Sequence, residues 1–169
     1  IAIASLYLAL KPSFPEILTP EVDAISALLF GFILVGITTI SRRVGIPPIE
    51  ESTRRFAALM PVIAAIALPT ETSYQNAGMA TFSSALYAAL SITSSNRLYA
   101  VLAAVTGNLA IFTAIKASDM DGLEVYLAPI GLFTLFLGHI FKKNLNIQAV
   151  KFIRILGGLL LYLPAGINI

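Results

Sequence analysis

The residues able to do chemistry in this sequence fall in two short stretches. PTETSYQNAG, residues 69–78, holds Glu71 and Tyr74. DMDGLEVY, residues 119–126, holds Asp119, Asp121, Glu124 and Tyr126. Acids facing one another from two helical hairpins would suit a cation or a basic partner. The competing reading is electrostatic and topological: acids at helix N-termini meet the positive end of the helix dipole, while tyrosines anchor at lipid headgroups. His139 is the single histidine. A haem or chlorin ligand is one use for it, but with no second histidine it reads as a polar residue at a helix end. With no cysteine, thiolate nucleophiles, disulfides and Cys-based metal sites are excluded. The sequence carries no Gly-x-Ser-x-Gly, no His-Glu-x-x-His and no phosphate loop. The expectation is no catalytic residue, no metal and no cofactor.

The elements that position these residues follow from composition. Of 169 residues, 57% are hydrophobic and 12% charged, and the mean hydropathy is +0.87. A soluble domain carries about a quarter charged residues, so a water-facing surface could not be covered here. Apolar runs of roughly 17–25 residues recur, the length a bilayer demands of a helix, and no short alternating strands point to a barrel. The expected fold is all-α: a polytopic transmembrane helical bundle of antiparallel hairpins. Its seven spans fall at about 1–10 (partial), 21–41, 49–69, 77–94, 97–116, 124–141 and 149–168. Tryptophan is absent, so interfacial anchoring falls to Tyr7, Tyr74, Tyr99, Tyr126 and Tyr162 near span ends. Tyr87 lies mid-span and should face protein. The chain opens inside an apolar run without an initiator Met and closes without a polar tail, so residues 1–169 read as one transmembrane domain within a longer chain.

Charge supplies an independent check. If loops 42–55, 94–97 and 142–154 are cytoplasmic, they and their flanks hold Arg42, Arg43, Arg54, Arg55, Arg97, Lys142, Lys143, Lys151 and Arg154, nine of the eleven basic residues. Lys11 and Lys116 fall outside. The acids reverse the pattern, with only Glu50 and Glu51 inside. This is the positive-inside bias, and it puts these three loops on the cytoplasmic side of the membrane. Local signals agree: Thr19 caps a helix with Pro20 at its first position, and Asp121 and Glu124 have capping-box spacing. Glu50 with Arg54, and Glu51 with Arg55, are i,i+4 pairs. The net charge of +2 is too small, and its basic residues too dispersed, for nucleic acid.

The fourth segment, AGMATFSSALYAALSIT, is rich in small residues. Ala80, Ser84 and Ala88, and also Ala85 and Ala89, have the small-xxx-small spacing that lets helices approach closely in lipid. Asn108 and Thr106, in the fifth segment, should likewise point at protein. Pro61, Pro69, Pro129 and Pro164 lie within or at the end of spans, a feature of transport sites and also of helices whose neighbours satisfy the freed carbonyls. No span centre holds the Asp, Glu, His or Arg that ion-coupled transport needs.

An offset of 100 residues aligns 31–69 with 131–168: Gly31 meets Gly131, Arg42 and Arg43 meet Lys142 and Lys143, Arg54 meets Arg154, and Leu59 meets Leu159. Four spans separate the copies, so any repeat is parallel. The bland alternative is that every hairpin with an inside loop has basic corners. Separately, Glu124, Tyr126, Pro129, Gly131 and Leu132, followed by Leu137, Gly138, Lys142 and Lys143, form a Glu-x-Tyr-x-x-Pro-x-Gly-Leu segment closed by basic residues. This segment resembles a recurring unit of uncharacterised bacterial multi-pass membrane proteins with repeated helical hairpins. The resemblance implies a many-span inner-membrane protein and assigns no reaction. The functional expectation is a non-enzymatic integral membrane subunit or scaffold. Its partners would be the lipid bilayer and transmembrane helices of the same or another chain. The rival is a transporter or lipid-handling protein without an intramembrane ionisable relay.

Overall fold

The computed structural model describes residues 19–67, 73–120, 122–143 and 145–167. Among these the chain is all-α, with six helices and no strand: α1 Pro20–Val44, α2 Pro47–Ala67, α3 Tyr74–Ser94, α4 Arg97–Ala117, α5 Leu123–Ile140 and α6 Ile147–Ile167. Each falls on one of the apolar segments expected from sequence; the partial first segment, 1–10, lies outside the described residues. Two helices, α1 and α4, are long and apolar enough to cross a membrane, and the apolar run Val125–Ile140 within α5 is shorter. At 1.5 Å per residue α1 is about 37 Å long, enough for a hydrocarbon core of about 30 Å. α2 falls short of that test because Glu50, Glu51, Arg54 and Arg55 occupy its first turns. The seven-span expectation is therefore met at a coarser level, an all-α chain with two apolar helices of spanning length.

The chain divides into two compact units, Ile1–Thr70 and Glu71–Ile169. The first contains the α1–α2 hairpin. Thr19 occupies the N-cap position of α1 in extended backbone, with Pro20 first in the helix and Glu21 and Asp23 in its first turn. The Thr19 side chain makes no capping hydrogen bond, unlike the sequence expectation. Arg42 and Arg43 sit at the negative end of the helix dipole. Gly45 stops α1 at φ 77°, a left-handed cap whose N–H bonds the Ser41 carbonyl. Pro47 and Pro48, preset for the first helical turn, restart the chain at once as α2.

One stripe of α1 is buried: Ala24, Leu28, Gly31, Leu34, Val35, Thr38 and Ser41. It meets Ala57, Met60, Pro61 and Ala64 of α2. The residues left outside are the bulky apolar ones, among them Leu29, Ile33, Ile40 and Phe56, with Ile66 80% exposed. In water this arrangement would be inverted, since burial of large side chains is what drives soluble folding. In lipid it is the expected one, because small and hydroxyl residues bring helices together where the solvent is itself apolar.

In the second unit α3 packs on α4, α4 on α5 and α5 on α6. The Ser73 hydroxyl caps α3, accepting the Asn76 N–H at 3.3 Å. Ser95, at φ 53°, and Asn96 turn the chain tightly into α4, where Asn96 Oδ1 accepts the Leu98 N–H at 2.9 Å. Gly122 holds the N-cap position of α5 without any side-chain cap. The expected capping box rests on Asp121 and the Glu124 side chain, which lie outside the described residues. Asn146 Oδ1 accepts the Ala149 N–H at 2.7 Å and starts α6. Tyr87 is buried within α3 beside Leu86 and Leu90.

Candidate functional site

The described members of the cluster, Tyr74, Asp119 and Tyr126, lie at the end of the second unit where α3 begins, α4 ends and α5 begins. Tyr74, in the first turn of α3, puts its hydroxyl 3.0 Å from that of Ser118, the residue that caps α4. Ser118 Oγ also lies 2.8 Å from the Ala114 carbonyl. A serine has one proton, so if it goes to the carbonyl, Tyr74 is the donor across the helices. Asp119 follows at φ 51° and is exposed. Tyr126 stacks on Phe112 of α4, with ring centroids 6.1 Å apart and planes 16° from parallel. The two tyrosines therefore strap helices of this unit to one another. Glu71, Asp121 and the Glu124 side chain lie outside the described residues. Among the described residues no group of three or more His, Asp or Glu could hold a metal ion. His139 is exposed in the last turn of α5.

The helix seams hold the remaining polar chemistry. In the α1–α2 hairpin, Thr38 is fully buried and its hydroxyl is 2.8 Å from that of Thr53. Between α3 and α4, Ser84 Oγ donates to the Ala103 carbonyl at 2.7 Å. A Cβ on Gly107 would come within 3.1 Å of that oxygen, so glycine makes the room that the bond needs. Of the other packing candidates, Ala80, Ala88 and Ala89 are half-buried and Ala85 is exposed. Asn108 donates from Nδ2 to the Ala104 carbonyl at 3.1 Å, while its buried Oδ1 has no hydrogen-bond partner among the described residues. Other hydroxyls are turned back on their own helix: Thr39, Thr81, Thr93, Thr106, Thr113 and Thr134 each donate to the carbonyl four residues earlier at 2.8–2.9 Å. Such back-bonding conceals a hydroxyl from a medium that cannot hydrogen-bond it.

The chain matches no protein-family model, no curated protein and no solved structure.

The α5–α6 seam went unanticipated. A Cβ on Gly131 would stand 2.9 Å from the Gly157 carbonyl oxygen and 2.9 Å from Leu161 Cγ. One on Gly138 would meet Ile153 Cγ2 at 2.6 Å, and one on Gly157 would meet Leu135 Cγ at 2.7 Å. Gly131 and Gly138 are seven residues apart and so share a helix face, a signal present in the sequence.

The basic residues sit at hairpin corners. Arg42 and Arg43 end α1 and Arg54 and Arg55 lie early in α2, where Arg55 pairs with Glu51. In the second unit Arg97 opens α4, Lys142 and Lys143 follow α5, and Lys151 and Arg154 lie early in α6. The hairpin connectivity puts these five at one end of that unit and Lys116 and Asp119 at the other.

Proposed function

We propose that this chain is a non-enzymatic integral membrane protein that acts as a structural or accessory subunit, a scaffold of helical hairpins. The observation that carries the reading is the reversed polarity of its seams. Thr38, Ser41 and Ser83 are buried, whereas Leu29, Ile33, Phe82, Ile92 and Phe152 are exposed. A face of this kind has to be covered by lipid tails or by apolar helices. The chain crosses the inner membrane several times, with loops 42–55, 94–97 and 142–154 in the cytoplasm, as in the bacterial multi-pass proteins its Glu124–Leu132 segment resembles.

The test has two arms. The chain has no native cysteine, so Met120→Cys, Ser52→Cys and Gln148→Cys each report one position. In intact cells a membrane-impermeant maleimide should label Met120→Cys, and the other two only after permeabilisation. Labelling of all three from one side, or recovery of the chain in the soluble fraction, removes the topology. For the scaffold role, crosslinking in native membranes followed by mild-detergent purification should retain a stoichiometric membrane partner. A monodisperse monomer without one removes that role.

A second reading, a transporter or lipid-handling protein, is favoured by the unpartnered Asn108 Oδ1 at mid-length of α4. A polar acceptor held in a helix seam is costly unless something visits it. A substrate-dependent thermal shift across a panel of lipids and solutes, lost in Asn108→Leu, would favour this reading over the first.

A further inference from the structure

We infer that the α1–α2 and α5–α6 hairpins are two copies of one unit, related by a shift of 100 residues without a gap. Sequence alone offers little support, because basic corners are common to inside loops. The structure adds three observations that such corners do not produce. The second helix of each hairpin starts at the same place under the shift: α2 begins at Pro47 and α6 at Ile147. The buried face keeps its register, since Ala57 corresponds to Gly157 and both are buried, as do Gly31 and Gly131. Most specific is a contact pair. Thr38 touches Thr53 in the first hairpin, and Gly138 lies against Ile153 in the second, the same two positions moved by 100.

Two unrelated antiparallel hairpins can pair with any stagger and any rotation of each helix about its axis. Agreement in both helices at once fixes stagger and rotation together. A ridge on one helix matched to a groove on the other is set by side-chain shape, so the copies keep the geometry while exchanging its chemistry. The first copy closes this level with a hydroxyl pair. The second closes it with a glycine that admits Ile153. Ile40 and Ile140, two residues further along each first helix, are identical. α5 stops four residues sooner than the shift predicts, at Ile140 rather than 144, because Phe141 ends it where α1 continues to the Gly45 cap.

The inference does not depend on the membrane reading and is tested by disulfide mapping. An ideal Cβ at 138 lies 3.6 Å from Ile153 Cβ, inside the range of about 3.5–4.5 Å that a disulfide requires. Gly138→Cys with Ile153→Cys, and Thr38→Cys with Thr53→Cys, should both close under mild oxidant, with yields within about twofold of each other. The second hairpin also predicts the first. Leu135 against Gly157 transfers to Val35 against Ala57, so Val35→Cys with Ala57→Cys should close as well. This pair serves if the glycine variant fails to express. The proposal is overturned if position 38 or 35 crosslinks one helical turn away from its predicted partner, at Glu50 or Met60, in preference to Thr53 or Ala57. It is equally overturned if position 138 closes preferentially with Val150 or Gly157.

Discussion

The hydroxyl oxygens of Thr38 and Thr53 stand 2.8 Å apart across the α1–α2 hairpin, and each also reaches a carbonyl of its own helix, Leu34 at 2.8 Å and Ile49 at 2.7 Å. Thr53 Oγ1 is also 3.2 Å from the Glu50 carbonyl, so two hydroxyls have two protons for four contacts. One threonine therefore donates to its own helix and the other donates across, forming a short directional chain. Removing either hydroxyl leaves the other a complete intrahelical bond, so the loss is confined to the bond across the helices. In a double-mutant cycle, Thr38→Val and Thr53→Val should show a coupling of about 0.6 kcal/mol, and no more than about 1.7 kcal/mol. Unfolding in mild detergent measures it; additive single effects would show that the pair contributes nothing.

Glycine divides into positions of close approach and positions of open space. Gly131 faces a backbone oxygen that cannot move aside, whereas nothing lies within 4 Å of a Cβ on Gly36. Gly131→Ala should destabilise by about 1–3 kcal/mol, the usual cost of overpacking. Gly36→Ala should be neutral or stabilising by up to about 1 kcal/mol through helix propensity. Thermal unfolding of both variants in the same detergent checks the contrast. Equal effects would mean that α5 and α6 do not touch at Gly131.

The positions of the six described helices were legible because each is an apolar run bounded by charged, Pro, Gly or Asn turn residues. The faces were less so. In water, burial separates large apolar from polar residues, and the inner stripe can be read from one helix. Here both faces of α3 are apolar or small. The stripe that is buried, through Ala77, Ser83, Leu86, Tyr87 and Leu90, shares little with the Ala80/Ser84/Ala88 spacing, although Ser84 does bond across to α4. The Tyr74–Ser118 contact joins residues 44 apart in sequence, and only packing of α3 on α4 creates it. Of the acidic cluster, the described part consists of two tyrosines in contact with Ser118 and Phe112 and an exposed Asp119.

Ser84 and Gly107 should behave as a unit. Gly107→Ala places a methyl 3.1 Å from Ser84 Oγ but 3.8 Å from Ser84 Cβ, an ordinary contact. On the native background the methyl displaces the hydroxyl from the Ala103 carbonyl, at a cost of about 1 kcal/mol. In a Ser84→Ala background the obstructing oxygen is gone, and the same substitution should cost little. The measurement is a four-corner stability cycle, and strictly additive corners would separate the glycine from the hydrogen bond.

The last prediction concerns whether the tyrosines at the α3–α4–α5 end act as straps or as part of a ligand site. Tyr74 is 64% exposed, so its bond to Ser118 competes with water or headgroups and contributes about 0.5 kcal/mol. Tyr126 against Phe112 adds an aromatic pair of about 0.5–1.5 kcal/mol. A strap predicts that Tyr74→Phe lowers stability slightly. It also predicts that Tyr126→Leu lowers it more, since the ring contact is lost along with its area. In neither variant should added calcium, magnesium or zinc change the unfolding temperature. A ligand site predicts the reverse order of importance, because removing one phenol oxygen would abolish a cation-dependent shift that the native chain displays. Differential scanning fluorimetry of the native chain and both variants, with and without each ion, separates the two. A metal-dependent shift in the native chain that disappears in Tyr74→Phe would restore the acidic cluster as a binding site and overturn the structural role assigned to Tyr74.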